Sequence, residues 1–222
     1  ISTRDWSSDV CSSDLALADI ETALAFEPPH LSAYHLTLEP NTLFYRHPPP
    51  LPDDEVTANM QAAIEGLLGR HGYSHYETSA FAREGARCAH NLNYWLFGDY
   101  IGIGAGAHAK LSFPDHVTRE ARYRQPRQYM RESGKGNAVQ SSHEISAADL
   151  GFEFMMNALR LTGGFATQLF AERTGVPITA VLRALERGEH RGLISRDHQQ
   201  VVPTPLGQRL DRKSTRLNSS HE

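Results

Sequence analysis

The sequence predicts a mixed α/β fold that ends in a small winged-helix-like α+β domain. Three observations predict it. A helical stretch at 16–26 leads by a short link into the strand-like LSAYHLTL at 31–38. A second helix-then-strand pair follows at 53–81. From His143 onward the pattern changes to three short helices and a hairpin. Helix–strand pairs are the half-units of α/β folds, and three helices followed by a two-stranded wing is winged-helix order.

The elements follow in order. Leu17, Ile20, Leu24 and Ala25 recur at one-face helical spacing, and Pro28 and Pro29 stop that helix. Tyr34, Leu36 and Leu38 alternate, as one face of a strand would. Residues 39–52 form a proline-rich loop, a stiff connector. Asp53 and Asp54 open the next helix at its positive end, with Val56, Met60, Ile64, Leu67 and Leu68 inward, and Gly72 closes it. YSHYETSAF at 73–81 reads as a strand. Residues 134–142, GKGNAVQSS, are small and polar and read as the linker between a body at 16–133 and a domain at 143–210. In that domain, helices at 149–161, 165–173 and 177–187 precede a hairpin of 193–195 and 200–202 around Asp197.

The ends differ from the body. Residues 1–15 and 211–222 show no periodicity and read as translated sequencing-adapter sequence. The body then opens mid-helix at Ala16, as a piece cut from a longer protein would.

Composition narrows the function. Net charge is −4, which argues against a chain that wraps nucleic acid, since phosphate binding needs a surplus of Lys and Arg. No apolar run approaches the roughly 20 residues of a bilayer span, and no secretory signal precedes the body, so a cytoplasmic location is expected. Two cysteines, Cys11 and Cys88, are too few for a disulfide scaffold or a self-contained iron–sulfur cluster.

The densest chemistry lies at 83–111. HNLNYW at 90–95 is followed by GDYIGIGAGAHAKL at 98–111. These segments resemble the signature of the HemW-like radical-SAM proteins, haem chaperones often labelled oxygen-independent coproporphyrinogen III oxidase-like. HLSAYHLTLEPNTLFY at 30–45, PPLPDDE at 49–55, GYSHYETSAFAREGARCAHN at 72–91, LGFEFMMNALRL at 150–161 and PTPLGQRL at 203–210 match in the same order. The resemblance implies that 16–133 is the C-terminal part of an incomplete (β/α) radical-SAM barrel and 143–210 a winged-helix-like domain. It implies a whole protein that binds haem, a [4Fe–4S] cluster and S-adenosylmethionine and delivers haem to respiratory haem proteins. The family's CxxxCxxC motif is not in this sequence, so this chain cannot supply the cluster thiolates and by itself is expected to be inactive. A true coproporphyrinogen III oxidase is the alternative, and a winged-helix nucleic-acid-binding module a more distant one.

Each candidate residue has two readings. The resemblance makes His90 a haem-iron ligand, with Asn91, Tyr94 and Trp95 beside it as an apolar wall; equally, His90 and Asn91 cap a turn while the rings pack. Cys88 is a second soft ligand or a small buried hydrophobe. Gly102, Gly104 and Gly106, on a late barrel strand, line an S-adenosylmethionine pocket or mark tight packing, and Thr37 is a similar candidate. His108 faces that pocket or is structural. Glu39 and Glu77 hold a ligand amine or are solvated loop residues. Arg119, Arg122, Arg124, Arg127 and Arg131 pair with haem propionates or form a solvated helix face.

Overall fold

The structure is a computed structural model that describes residues 13–210 apart from 35, 37 and 39. It divides into two compact units, 13–88 with 205–210, and 89–204.

In the first unit, α1 (Ser13–Leu24) precedes β1 (His30–Ser32), a single turn α2 (Leu43–Arg46), α3 (Asp54–Arg70), β2 (Ser74–Glu77) and β3 (Ala80–Ala82). The long helix begins where expected. The Asp53 carboxylate accepts the Val56 N–H at 2.8 Å, so the cap and the Asp54 and Glu55 charges sit at the positive end. Ile64, Leu68, Tyr73 and Phe81 form the core, and Leu17, Ile20 and Leu24 of α1 pack on it. Helix 205–210 also falls in this unit.

The strand expected at 31–38 is shorter. β1 pairs antiparallel with β3, which offers only Ala80–Ala82, and one further bond, from the Ala33 N–H to the Ser79 carbonyl at 2.8 Å, ends the pairing. Tyr34 is consequently 71% exposed rather than on an inner face. The strand expected at 73–81 is a hairpin: β2 and β3 pair antiparallel, and the order is β1-β3-β2. Glu77 Oε1 accepts the Ser79 N–H at 3.2 Å and helps close the turn.

In the second unit come α4 (Ala89–Trp95), β4 (His108–Ser112), β5 (Val117–Arg122), α5 (Pro126–Ser133), β6 (Val139–Glu144), α6 (Ala147–Ala158), β7 (Phe165–Ala166), α7 (Thr167–Thr174), a 3-10 turn Ile178–Val181, α8 (Leu182–His190), β8 (Ile194–Arg196) and β9 (Gln200–Pro203). Residues 134–142 are not a free linker. Val139–Glu144 pairs antiparallel along β5, giving the sheet β4-β5-β6. Small polar residues suit this strand because it is an edge that faces solvent.

The C-terminal part has winged-helix order. Ser146 caps α6, and Gly175 ends α7 with φ 68. Asp197 takes the Gln199 and Gln200 N–H groups at 2.7 and 2.8 Å to turn β8 into β9. A strand not expected from the sequence, β7, completes the sheet β7-β9-β8. Phe154, fully buried, is the hub of this core, with Phe97, Phe165 and Phe170 edge-on at 5.7, 5.0 and 5.1 Å.

Candidate functional site

The residues of HNLNYW lie on α4. Spacing of four along a helix puts His90 with Tyr94 and Asn91 with Trp95. His90 is exposed, its ring stands edge-on to Tyr94 at 4.9 Å, and among the described residues neither ring nitrogen has a hydrogen-bond partner. Tyr94 lies against Tyr100 at 4.4 Å. The Arg160 guanidinium stacks over Trp95 at 4.2 Å, while the indole N–H is buried with no hydrogen-bond partner among the described residues.

The helix stops abruptly. Phe97 adopts φ 56, a left-handed conformation unusual for a bulky side chain, and is 2% exposed. What holds it is Lys110, 1% exposed on β4, whose ammonium lies 4.2 Å from the Phe97 ring centroid. Lys110 Nζ donates to the Phe97 carbonyl at 2.9 Å, to Asp99 Oδ1 at 2.9 Å and to Ser112 Oγ at 3.0 Å. Burial pushes the Lys110 ammonium below its ordinary pKa, and Asp99 partly restores it. For Asp99, burial alone would raise the carboxyl; the Ser112 N–H and hydroxyl together with Lys110 outweigh it and hold Asp99 below the usual range.

Tyr100 is held by Arg119. Arg119 Nη1 donates to Tyr100 Oη at 2.6 Å, and Nη2 and Nε donate to Glu153 Oε2 at 2.6 and 3.1 Å. Burial pushes the Tyr100 phenol up, against the Arg119 charge. Sequence reasoning placed Asp99 and Tyr100 in the densest stretch without a role, and missed Lys110 and Glu153. The one available signal was a lysine between Ala109 and Leu111 in an alternating strand.

The glycine segment is not a barrel strand. Tyr100 and Lys110 form an isolated bridge, and Gly104 and Gly106, with φ 112 and 73, make a tight turn. Gly102 is buried under the His108 backbone. The Gly102 carbonyl accepts Arg122 Nε at 3.0 Å, Gly104 N–H donates to Tyr129 Oη at 3.1 Å and Gly106 N–H to the Tyr123 carbonyl at 2.9 Å. These groups are engaged within the chain, and the described residues do not fit S-adenosylmethionine there. Ile101 and Ile103 point outward, 71% and 85% exposed. His108 is exposed at the start of β4.

Other candidates separate. Thr37 and Glu39 lie outside the described residues. Cys88 belongs to the first unit, half-buried, its N–H donating to Tyr76 Oη at 3.3 Å. Glu77 is a buried turn residue, 1% exposed, rather than a solvated one. The arginine stretch is not one helix face: Arg119 and Arg122 are on β5, Arg122 pairs with Glu120 at 3.2 Å, and Arg131 with Glu132 at 2.8 Å. Arg124 and Arg127 are exposed. On α8, Arg183, Glu186, Arg187, His190 and Arg191 line an open groove of about 620 Å³ with both signs of charge.

The donor set decides which groups these residues suit. Three thiolates are needed for a site-differentiated cluster. Among the described residues Cys88 is the only cysteine, and no three His, Cys, Asp or Glu side chains converge. They do not fit an iron–sulfur cluster. An exposed imidazole with both nitrogens open, set on aromatic rings, fits a tetrapyrrole iron.

Comparison with known proteins agrees with the fold. The solved structure of the coproporphyrinogen III oxidase HemN from Escherichia coli, a radical SAM enzyme, superposes with a TM-score of 0.67 at 14% identity, over 95% of this chain and 52% of that one. The chain therefore has the mixed α/β fold of the C-terminal part of a radical SAM protein, and residues 145–210 match the HemN C-terminal domain. Heme chaperone HemW from Escherichia coli is 42% identical over 190 residues, 84% of this chain and 49% of that protein. Heme chaperone HemW from Haemophilus influenzae is 42% identical over 172 residues, 77% of this chain and 44% of that protein. The chain belongs to the HemW-like, coproporphyrinogen III oxidase-like family and spans about half the length of the curated relatives it matches, their C-terminal half. Among the described residues no helix is long and apolar enough to cross a membrane.

Proposed function

We propose that this chain carries the haem-holding surface of a haem chaperone, with the imidazole of His90 as the iron ligand. The observation that supports it is the state of His90: exposed, both nitrogens open among the described residues, on a face of Tyr94 and Tyr100. The relatives named haem chaperone, at 42% identity, favour haem over other tetrapyrroles.

When bound, haem would supply an iron that takes a nitrogen ligand and a flat apolar macrocycle. His90 offers a nitrogen to the iron. Tyr94, held edge-on, restricts the rotation of that imidazole. The Trp95 N–H offers a buried hydrogen-bond donor, and Asn91 shares its side of the helix. In the complete protein the other half of the sequence would bind a [4Fe–4S] cluster and S-adenosylmethionine, and this cytoplasmic chaperone would pass haem to respiratory haem proteins.

Titration of ferric haem into the chain, followed by the Soret band, tests the assignment. Wild type is expected to bind and His90→Ala to bind at least about tenfold more weakly. Equal affinity removes His90. Preference for coproporphyrin III over haem favours the oxidase reading.

A further inference from the structure

The motif helix does not stand alone. Its aromatic face is reached from α6, the first helix of the C-terminal domain, by a continuous path. Glu153 on α6 takes two hydrogen bonds from Arg119 on β5, at 2.6 and 3.1 Å. The third donor of the same guanidinium holds Tyr100 Oη at 2.6 Å, Tyr100 lies on Tyr94 at 4.4 Å, and Tyr94 stands against His90 at 4.9 Å. Just past α6, Arg160 covers Trp95 at 4.2 Å.

We propose that the C-terminal domain completes the tetrapyrrole surface from behind, with Glu153 and Arg119 as positioning residues that orient Tyr100, Tyr94 and through them His90. This rests on the haem reading of His90. The guanidinium is suited to the task because it is planar and bonds two partners in fixed directions at once, which an ammonium cannot do. Arg119 and Glu153 are only 25% and 29% exposed, so water competes weakly for these bonds. Tyr100, its phenol raised by burial, stays neutral and keeps its hydroxyl as the acceptor for Arg119. The domain thereby gains a role other than reading nucleic acid: its first helix holds, through Glu153, the arginine that orients the haem-facing rings.

The test compares Arg119→Met, Arg119→Lys and Glu153→Gln with His90→Ala by ferric-haem titration and by the spectrum of bound haem. Arg119→Met is expected to weaken haem binding about tenfold and to broaden or shift the Soret band, since a less restrained imidazole meets the iron in several orientations. Arg119→Lys, which keeps the charge but not the fork, should recover only part of the affinity. A purely structural arginine would lower thermal stability and leave the bound spectrum unchanged. If Arg119→Met fails to fold, Glu153→Gln carries the comparison with the same expected direction. Weak binding by His90→Ala alongside wild-type binding and spectrum in Arg119→Met or Glu153→Gln overturns this proposal and leaves the haem reading standing. Wild-type binding by His90→Ala overturns both.

Discussion

Lys110 donates to Asp99 across 2.9 Å, and this pair pins the end of the motif helix to the sheet. The two partners are unequal: Lys110 is 1% exposed and Asp99 44%. Removing either therefore has a different cost. Asp99→Ala strands a buried ammonium and is expected to destabilise by about 2–4 kcal/mol, at the lower side of the range for breaking a buried pair because the Phe97 carbonyl and Ser112 hydroxyl remain as acceptors. Lys110→Met leaves a carboxylate that water can reach and should cost clearly less. Urea unfolding of both variants measures the asymmetry, and the reverse order would refute the geometry.

The same pair predicts a pH response. Asp99 sits below the usual carboxylate range in the folded state, so its contribution is full above the unfolded value and is lost as pH falls through the folded one. The stability difference between wild type and Asp99→Asn is expected to be largest near neutrality and to shrink below about pH 4. A difference independent of pH from 7 to 3 would show that the charge of Asp99 plays no part.

Phe154 carries the core of the second unit. It touches three aromatic rings and is fully buried, so Phe154→Ala is expected to cost about 3–5 kcal/mol. Chemical denaturation reads this directly, and a loss under 1 kcal/mol would place the core elsewhere.

Gly102 distinguishes packing from a cofactor pocket. An added Cβ would collide with the His108 carbonyl oxygen, a backbone atom that cannot move aside cheaply. Gly102→Ala is expected to destabilise by about 1–3 kcal/mol in the absence of any ligand. An alanine variant of unchanged stability that fails only to bind S-adenosylmethionine would restore the pocket reading.

Much of the fold was legible where the signal is local. The Asp53 cap, the stop at Gly175, the turn at Asp197 and the helix order within 143–210 all rest on contacts within a few residues. Non-local pairing was less visible. The apparent strand at 31–38 alternates correctly, yet it ends at Ser32 because its partner is three residues long. Residues 139–142 of β6 look like linker because an edge strand has polar neighbours on its open side. Among the site residues, the HNLNYW segment stood out by its motif, but that it forms a helix, which groups His90 with Tyr94 and Asn91 with Trp95, was not read from the sequence. Arg119 and Glu153, 34 positions apart, carry no local mark of their pairing. Arg119 looked like one of five surface arginines until β5 and α6 brought it to a carboxylate and a phenol.

The most direct measurement is electron paramagnetic resonance of ferric haem bound to the chain with its histidines labelled with ¹⁵N, compared with His90→Ala. The account predicts a nitrogen coupling from one imidazole that responds to the label in wild type and disappears in the variant. The same coupling in both proteins, or in neither, would contradict it.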